Sequence, residues 1–197
     1  MEQAKKRDHK ILITNIAISK VPYIKVLGLS EDVCKAIQIE HKEILKISQT
    51  DNDSNEVLSL MLKDLSANVR VMGSEFEVRP ADNPEAVSLF NKAQRYEMMY
   101  LHNHPSTNKF SLADLMTFIK YGNIGVMSVV TNQGNAYILS KTVEYDYRLA
   151  NKIFDEIYLR YRDEKIDHNV AVYEFLKVCH RGGIIYAKSD KTAGYKR

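Results

Sequence analysis

Residues 124–139 constrain the fold of this chain more than any other stretch. Two apolar runs, 124–130 (IGVMSVV) and 136–139 (AYIL), flank the turn sequence Thr131-Asn132-Gln133-Gly134-Asn135. Runs of that length around a Gly-containing turn predict a β-hairpin. Other strand-length segments lie upstream, at 11–19, 57–62, 69–73, 76–78 and 98–101. Helix signals separate them. Ser30 before Glu31 and Asp32 caps a segment running to about residue 48. Asn83-Pro84-Glu85 opens a helix to about Tyr96, and Ser111-Leu112-Ala113-Asp114 opens another to about Tyr121. The last third reads as helical. Leu149, Ile153, Ile157 and Tyr161 form one stripe, and Val172, Phe175, Leu176 and Cys179 a second, ended by Gly182-Gly183. The expected class is α/β (α+β), a mixed β-sheet flanked by helices.

Composition narrows the function. The chain is 197 residues long, 45% apolar and 27% charged, which excludes a disordered or low-complexity polymer. Net charge is +3, but residues 1–10 carry about +2 and residues 188–197 about +3. The body is slightly acidic, so the sequence offers no basic face for nucleic acid. No run approaches the ~20 apolar residues of a membrane span, and no signal peptide is read at the N-terminus. Cys34 and Cys179 lie far apart without CxxC spacing, which excludes a disulfide framework and a cysteine zinc knuckle. Both read as small buried apolar residues of a cytoplasmic protein.

The chemistry concentrates in Tyr100-Leu101-His102-Asn103-His104-Pro105 and Phe110-Ser111-Leu112-Ala113-Asp114. Alternate residues of a strand share a face, so His102 and His104 project together. Pro105 ends the strand and places both imidazoles at the sheet margin. Asp114 lies one turn into the next helix. Two imidazoles and a carboxylate suit a borderline divalent cation, and zinc with three protein ligands leaves a fourth position open for water. Ser111 and Asp114 also fit a plain helix cap, and a capping hydroxyl can face a site at the same time.

This set resembles the JAMM (MPN-plus, JAB) zinc metalloprotease superfamily, and LHNHPS is most similar to its RadC-like prokaryotic branch. The resemblance implies a metal on His102, His104 and Asp114, with Ser111 as the polar stabiliser of the reacting centre. It also implies an upstream Glu as general base for a metal-activated water, at the start of a strand beside the two histidines. Glu56, which leads Val57-Leu58-Ser59-Leu60, fits that place; Glu43, Glu75 and Glu77 are rivals. Six residues, 105–110, separate His104 from Ser111, one fewer than the family usually has. The resemblance covers residues 55–141 as a JAB/MPN-like core (cytidine-deaminase-like). It leaves a strand–helix segment at 1–54, a helical extension at 142–187 and a flexible basic tail at 188–197.

The implied function is zinc-dependent hydrolysis of a peptide or isopeptide bond in a protein or peptide substrate, such as a ubiquitin-like tail. Two other readings remain open at this level. One is a RadC-like nucleic-acid-associated protein, motivated by LHNHPS and the basic termini. The other is a non-catalytic JAB scaffold, motivated by the shortened loop.

Overall fold

The computed structural model describes residues 10–189. It is a mixed α/β structure around one six-stranded sheet. In chain order the strands are β1 (Val57–Leu62), β2 (Asn68–Met72), β3 (Met98–His104), β4 (Ile124–Thr131), β5 (Ala136–Lys141) and β6 (Ile184–Lys188). Their order across the sheet is β2-β1-β3-β4-β5-β6. Only β3 and β4 run parallel, and every other neighbouring pair is antiparallel.

Helices cover both faces. On one lies α2 (Glu31–Asp51), preceded by the short α1 (Asn15–Ser19). Ser30 starts α2 by accepting from the Val33 N–H, and Glu31 and Asp32 favour its positive N-terminus. Its Ile37, Ile44 and Leu45 pack on Met99, Leu101 and Val126. The other face carries α3 (Pro84–Lys92), α4 (Leu112–Lys120), α5 (Tyr147–Arg162) and α6 (His168–Val178). Phe118 and Phe175 there join Leu58, Leu60, Met98 and Met127 in the larger core. All eight residues of β4 are buried, as expected of a central strand covered on both sides. Truncating a fully buried core residue such as Leu58 to Ala is expected to cost about 3 kcal/mol.

The hairpin read from residues 124–139 is present as β4–β5. Gly134 in its turn has a φ of +81°, and a Cβ there would lie 2.3 Å from the Ala17 carbonyl oxygen. The turn therefore needs glycine both for its backbone and for the close approach of α1.

Four local expectations are corrected. Residues 11–19 are not a strand. Thr14 accepts from the Ala17 N–H and starts α1, and the 11–13 segment spends its backbone groups on Pro105, Ser54, Gln49 and Asn132 rather than on a ladder. Residues 76–78 form a loop, because the Ser74 N–H closes onto the Glu77 carbonyl. The α3 helix stops at Lys92, four residues before Tyr96. The C-terminal third holds β6 as well as helices, since Gly183 in the left-handed region turns the chain back onto β5. Cys34 and Cys179 are both buried and unpaired; Cys179 lies in a short 3-10 turn just after α6. Of the tail expected at 188–197, Lys188 ends β6 instead, and residues 190–197 fall outside the described residues. No described helix is long and apolar enough to cross a membrane.

Candidate metal centre

The period-two geometry of β3 divides its side chains between the two faces of the sheet. Leu101 packs into the core beneath α2, and Asn103 points the same way. Tyr100, His102 and His104 point toward α4. Neighbouring β1 pairs Leu58 with His102, and Glu56, two residues earlier, reaches the same face from the mouth of the strand. The loop after Pro105 then delivers the N-terminus of α4. Phe110, 1% exposed, anchors that loop in the core, and the Asn108 N–H donates to Ser106 Oγ within it. The six-residue connection is thus long enough to bring Ser111 and Asp114 to the histidines.

The resulting distances are short. His102 Nε2 lies 3.1 Å from His104 Nε2. Asp114 places Oδ1 3.4 Å from His102 Nε2 and Oδ2 3.4 Å from His104 Nε2. A tetrahedral zinc site with bonds of about 2.0–2.1 Å has ligand–ligand edges of about 3.3–3.4 Å. The three separations are close to those lengths, although Asp114 meets the two imidazoles through different carboxylate oxygens. Glu56 Oε1 stands further out, 3.9 Å from His102 Nε2. Ligand atoms of Glu56, His102 and His104 also lie within 4.8 Å of one another, so this buried group can hold a metal ion.

The surroundings favour ligation. His104 Nδ1 donates to the Asn108 carbonyl at 3.2 Å, which leaves the Nε2 lone pair turned inward. His102 Nδ1 is buried without a hydrogen-bond partner among the described residues. Burial opposes the Asp114 charge, but the two imidazoles hold its carboxyl well below the usual range. Burial lowers His104, yet its hydrogen bond and attraction to Asp114 leave it raised overall. Glu56 is raised by burial, which outweighs the pull of His102 and His104. Neither carboxylate forms an ion pair with a described Lys or Arg.

Ser111 fills the capping role that its sequence allowed. Its Oγ accepts from the Asp114 N–H at 3.0 Å and donates to Asp114 Oδ2 at 2.7 Å. The Ser111 N–H donates to the same oxygen at 2.6 Å. Ser111 still lines the cleft above the centre, so the cap and the site share one residue. That cleft measures about 480 Å³ and is bordered by Glu56, Tyr100, His104, Asp114 and the exposed Phe76.

The rival carboxylates separate by place. Glu75 and Glu77 line the same cleft from the 73–79 loop, and Glu77 is paired with Arg79 at 2.6 Å. Glu43 lies on α2, among the charges acting on Arg70. Glu56 alone of the four lies within 4 Å of a site histidine.

Several participants escaped the sequence reading. Tyr100 follows from the same alternation that pairs His102 with His104. Asn103 and Asn132, which bond each other at 2.8 Å beneath the centre, carry no comparable pattern. His168 at the start of α6 accepts from the Leu112 N–H at 3.3 Å, tying the C-terminal helices to the α4 N-terminus. That bond joins residues 56 positions apart, and nothing local foretells it. Comparison of the chain with protein-family models, with curated proteins and with solved structures gave no match.

Proposed function

We propose that this chain is a zinc-dependent hydrolase of peptide or isopeptide bonds, with a JAMM/MPN-plus core of the RadC-like kind. The observation that carries the reading is the convergence of His102 and His104 with the Asp114 carboxylate, each contact 3.4 Å or shorter, beside a buried Glu56 that can join the histidines around a metal ion. A zinc ion held by these three side chains would supply a Lewis acid and lower the pKa of water toward neutrality.

The remaining chemistry belongs to the chain. Asp114 stays ionised and contributes negative charge to the ligand set. Glu56, its proton affinity raised by burial, takes a proton from the attacking water and returns it to the leaving amine. Ser111 lies where its hydroxyl can turn from Asp114 to a developing oxyanion. Phe76 and Tyr100 offer apolar walls to an extended peptide segment. Neither cysteine takes part, since both are buried and burial pushes the Cys179 thiol up to about 11. Two unpaired cysteines also agree with a reducing, cytoplasmic setting.

The test is cleavage of peptide and isopeptide-linked substrates by the zinc-loaded protein. Chelation should abolish turnover and zinc should restore it. Glu56→Gln should keep the metal and lose about 10²–10⁴-fold in kcat. A Glu56→Gln protein that cleaves at the full rate would overturn the mechanism.

A further inference from the structure

Beneath the metal centre, on the α2 face of the sheet, the site rests on a buried amide. Asn103 stands between the two histidines in sequence and points away from both. It is 0% exposed. The β1–β3 ladder ends at the Leu58–His102 pair, and Glu56 lies beyond it. There the Asn103 side chain takes over from the backbone. Its Oδ1 accepts from the Val57 N–H at 2.7 Å. The two hydrogens of its Nδ2 are shared among Asn132 Oδ1 at 2.8 Å, the Asn55 carbonyl at 3.1 Å and Ser48 Oγ at 3.3 Å. The Asn55 carbonyl and the Val57 N–H belong to the two peptide groups that flank the Glu56 Cα. One side chain therefore grips the backbone on both sides of Glu56 and joins it to the strand that carries His102 and His104.

Asn132 holds this amide from behind. It is 1% exposed, and its Nδ2 donates to the Ile11 and Ser54 carbonyls at 2.7 and 2.9 Å. Its backbone N–H donates to the His104 carbonyl at 3.0 Å. The network has a stabilising share, as any satisfied buried polar cluster does. Its placement does more, because its bonds converge on the histidine strand and on the residue that must act beside it.

We infer that Asn103, backed by Asn132, is a positioning residue that holds the Glu56 carboxylate at working distance from the metal centre. The inference rests on the hydrolytic reading above. Removing the amide takes away the β3-side grip on residues 55–57 and leaves Glu56 held from the other side alone, where its N–H donates to the Ser74 carbonyl and its carbonyl accepts from Gly73 and Asn52. A displacement of about 1 Å at a reacting group can cost about 10²-fold in rate.

The test compares full-length wild type with Asn103→Ala, both zinc-loaded, by metal analysis, steady-state kinetics and crystallography. The expected result is unchanged zinc content, unchanged KM, a kcat lowered about 10²-fold and a Glu56 carboxyl moved by about 1 Å from its place near His102. An unmoved Glu56 overturns the inference whether or not either protein cleaves anything. So does a variant of lowered melting temperature whose folded fraction keeps the full kcat. If Glu56 moves in the variant but zinc-loaded wild type cleaves no substrate, the hydrolytic reading fails and the positioning of Glu56 stands. Should Asn103→Ala not fold, Asn132→Ala removes only the rear support. It should show the same pattern with a smaller kcat loss, and an unmoved Glu56 there overturns the inference equally.

Discussion

Glu40 and Glu56 are both buried glutamates, 3% and 8% exposed, on opposite faces of the same sheet. Their surroundings give them opposite characters. Glu40, on α2, meets Arg70 of β2 in a two-pronged pair, with Nε donating to Oε1 at 2.6 Å and Nη2 to Oε2 at 2.7 Å. Burial works to raise its carboxyl, but the hydrogen bonds from Arg70, Asn68 and Ser59 bring it below the ordinary value. Glu56 has no such partner, and burial leaves it raised. Burial of a charge by itself therefore nominates no site. A committed guanidinium makes Glu40 a fastener between α2 and the sheet edge. The lack of one, beside two histidines and an open cleft, leaves Glu56 available for chemistry.

The contrast can be broken most visibly by activity. Glu56→Gln should nearly abolish turnover, whereas Glu40→Gln should leave kcat per folded molecule within about threefold, read by active-site titration against kcat. Stability should respond in the opposite way. Glu40→Gln should lose about 2 kcal/mol in urea unfolding, less than a fully buried pair would cost because the Arg70 side chain is 39% exposed. Equal destabilisation by Glu56→Gln in metal-free protein would erase the distinction.

The pH dependence sharpens it further. The Glu40 carboxyl lies lower folded than unfolded, so below the unfolded value of about 4.3 the unfolded chain binds more protons. Its stabilising share is complete above that pH and is lost as pH falls through the folded value. The Glu40→Gln protein should show a shallower acid limb in melting temperature. A buried cation without a carboxylate gives the third case. Lys141 is lowered to about 7 by burial, although it donates to the Tyr121 carbonyl and lies 4.7 Å from the Tyr145 ring centroid. Between that value and the unfolded value of about 10.4, only the unfolded chain is protonated, so this group makes stability rise with pH. Lys141→Met should gain about 1 kcal/mol at pH 7 and progressively less toward pH 10, as equilibrium unfolding at several pH values would reveal. A gain that does not shrink with pH would mean the amine is not the cause.

What could be read in advance follows from the range of the interaction involved. The alternation that pairs His102 with His104, the Ser111 cap and the Gly-containing hairpin turn are encoded within a few residues, and each appears in the fold. The apolar residues of the 11–19 run fit a strand, while the Thr14 cap and the Ser54 hydroxyl that receives the Ile13 N–H act against one. Residues 76–78 have strand composition, but the Ser74 N–H bond to the Glu77 carbonyl closes them into a turn. The Glu40–Arg70 pair joins residues 30 positions apart, and the Asn103 grip on residues 55 and 57 spans nearly 50. Neither leaves a local pattern. The acidic partner of the histidines could thus be named in sequence, whereas the framework that aims it could not.

The central claim is that His102, His104 and Asp114 form a metal site. It is tested most directly by metal analysis of the purified full-length protein beside His104→Ala. About one zinc per chain in wild type, lost in the variant while its circular dichroism is unchanged, is the predicted result. Wild-type protein that stays metal-free after zinc loading, or a His104→Ala protein that keeps its zinc, would contradict it.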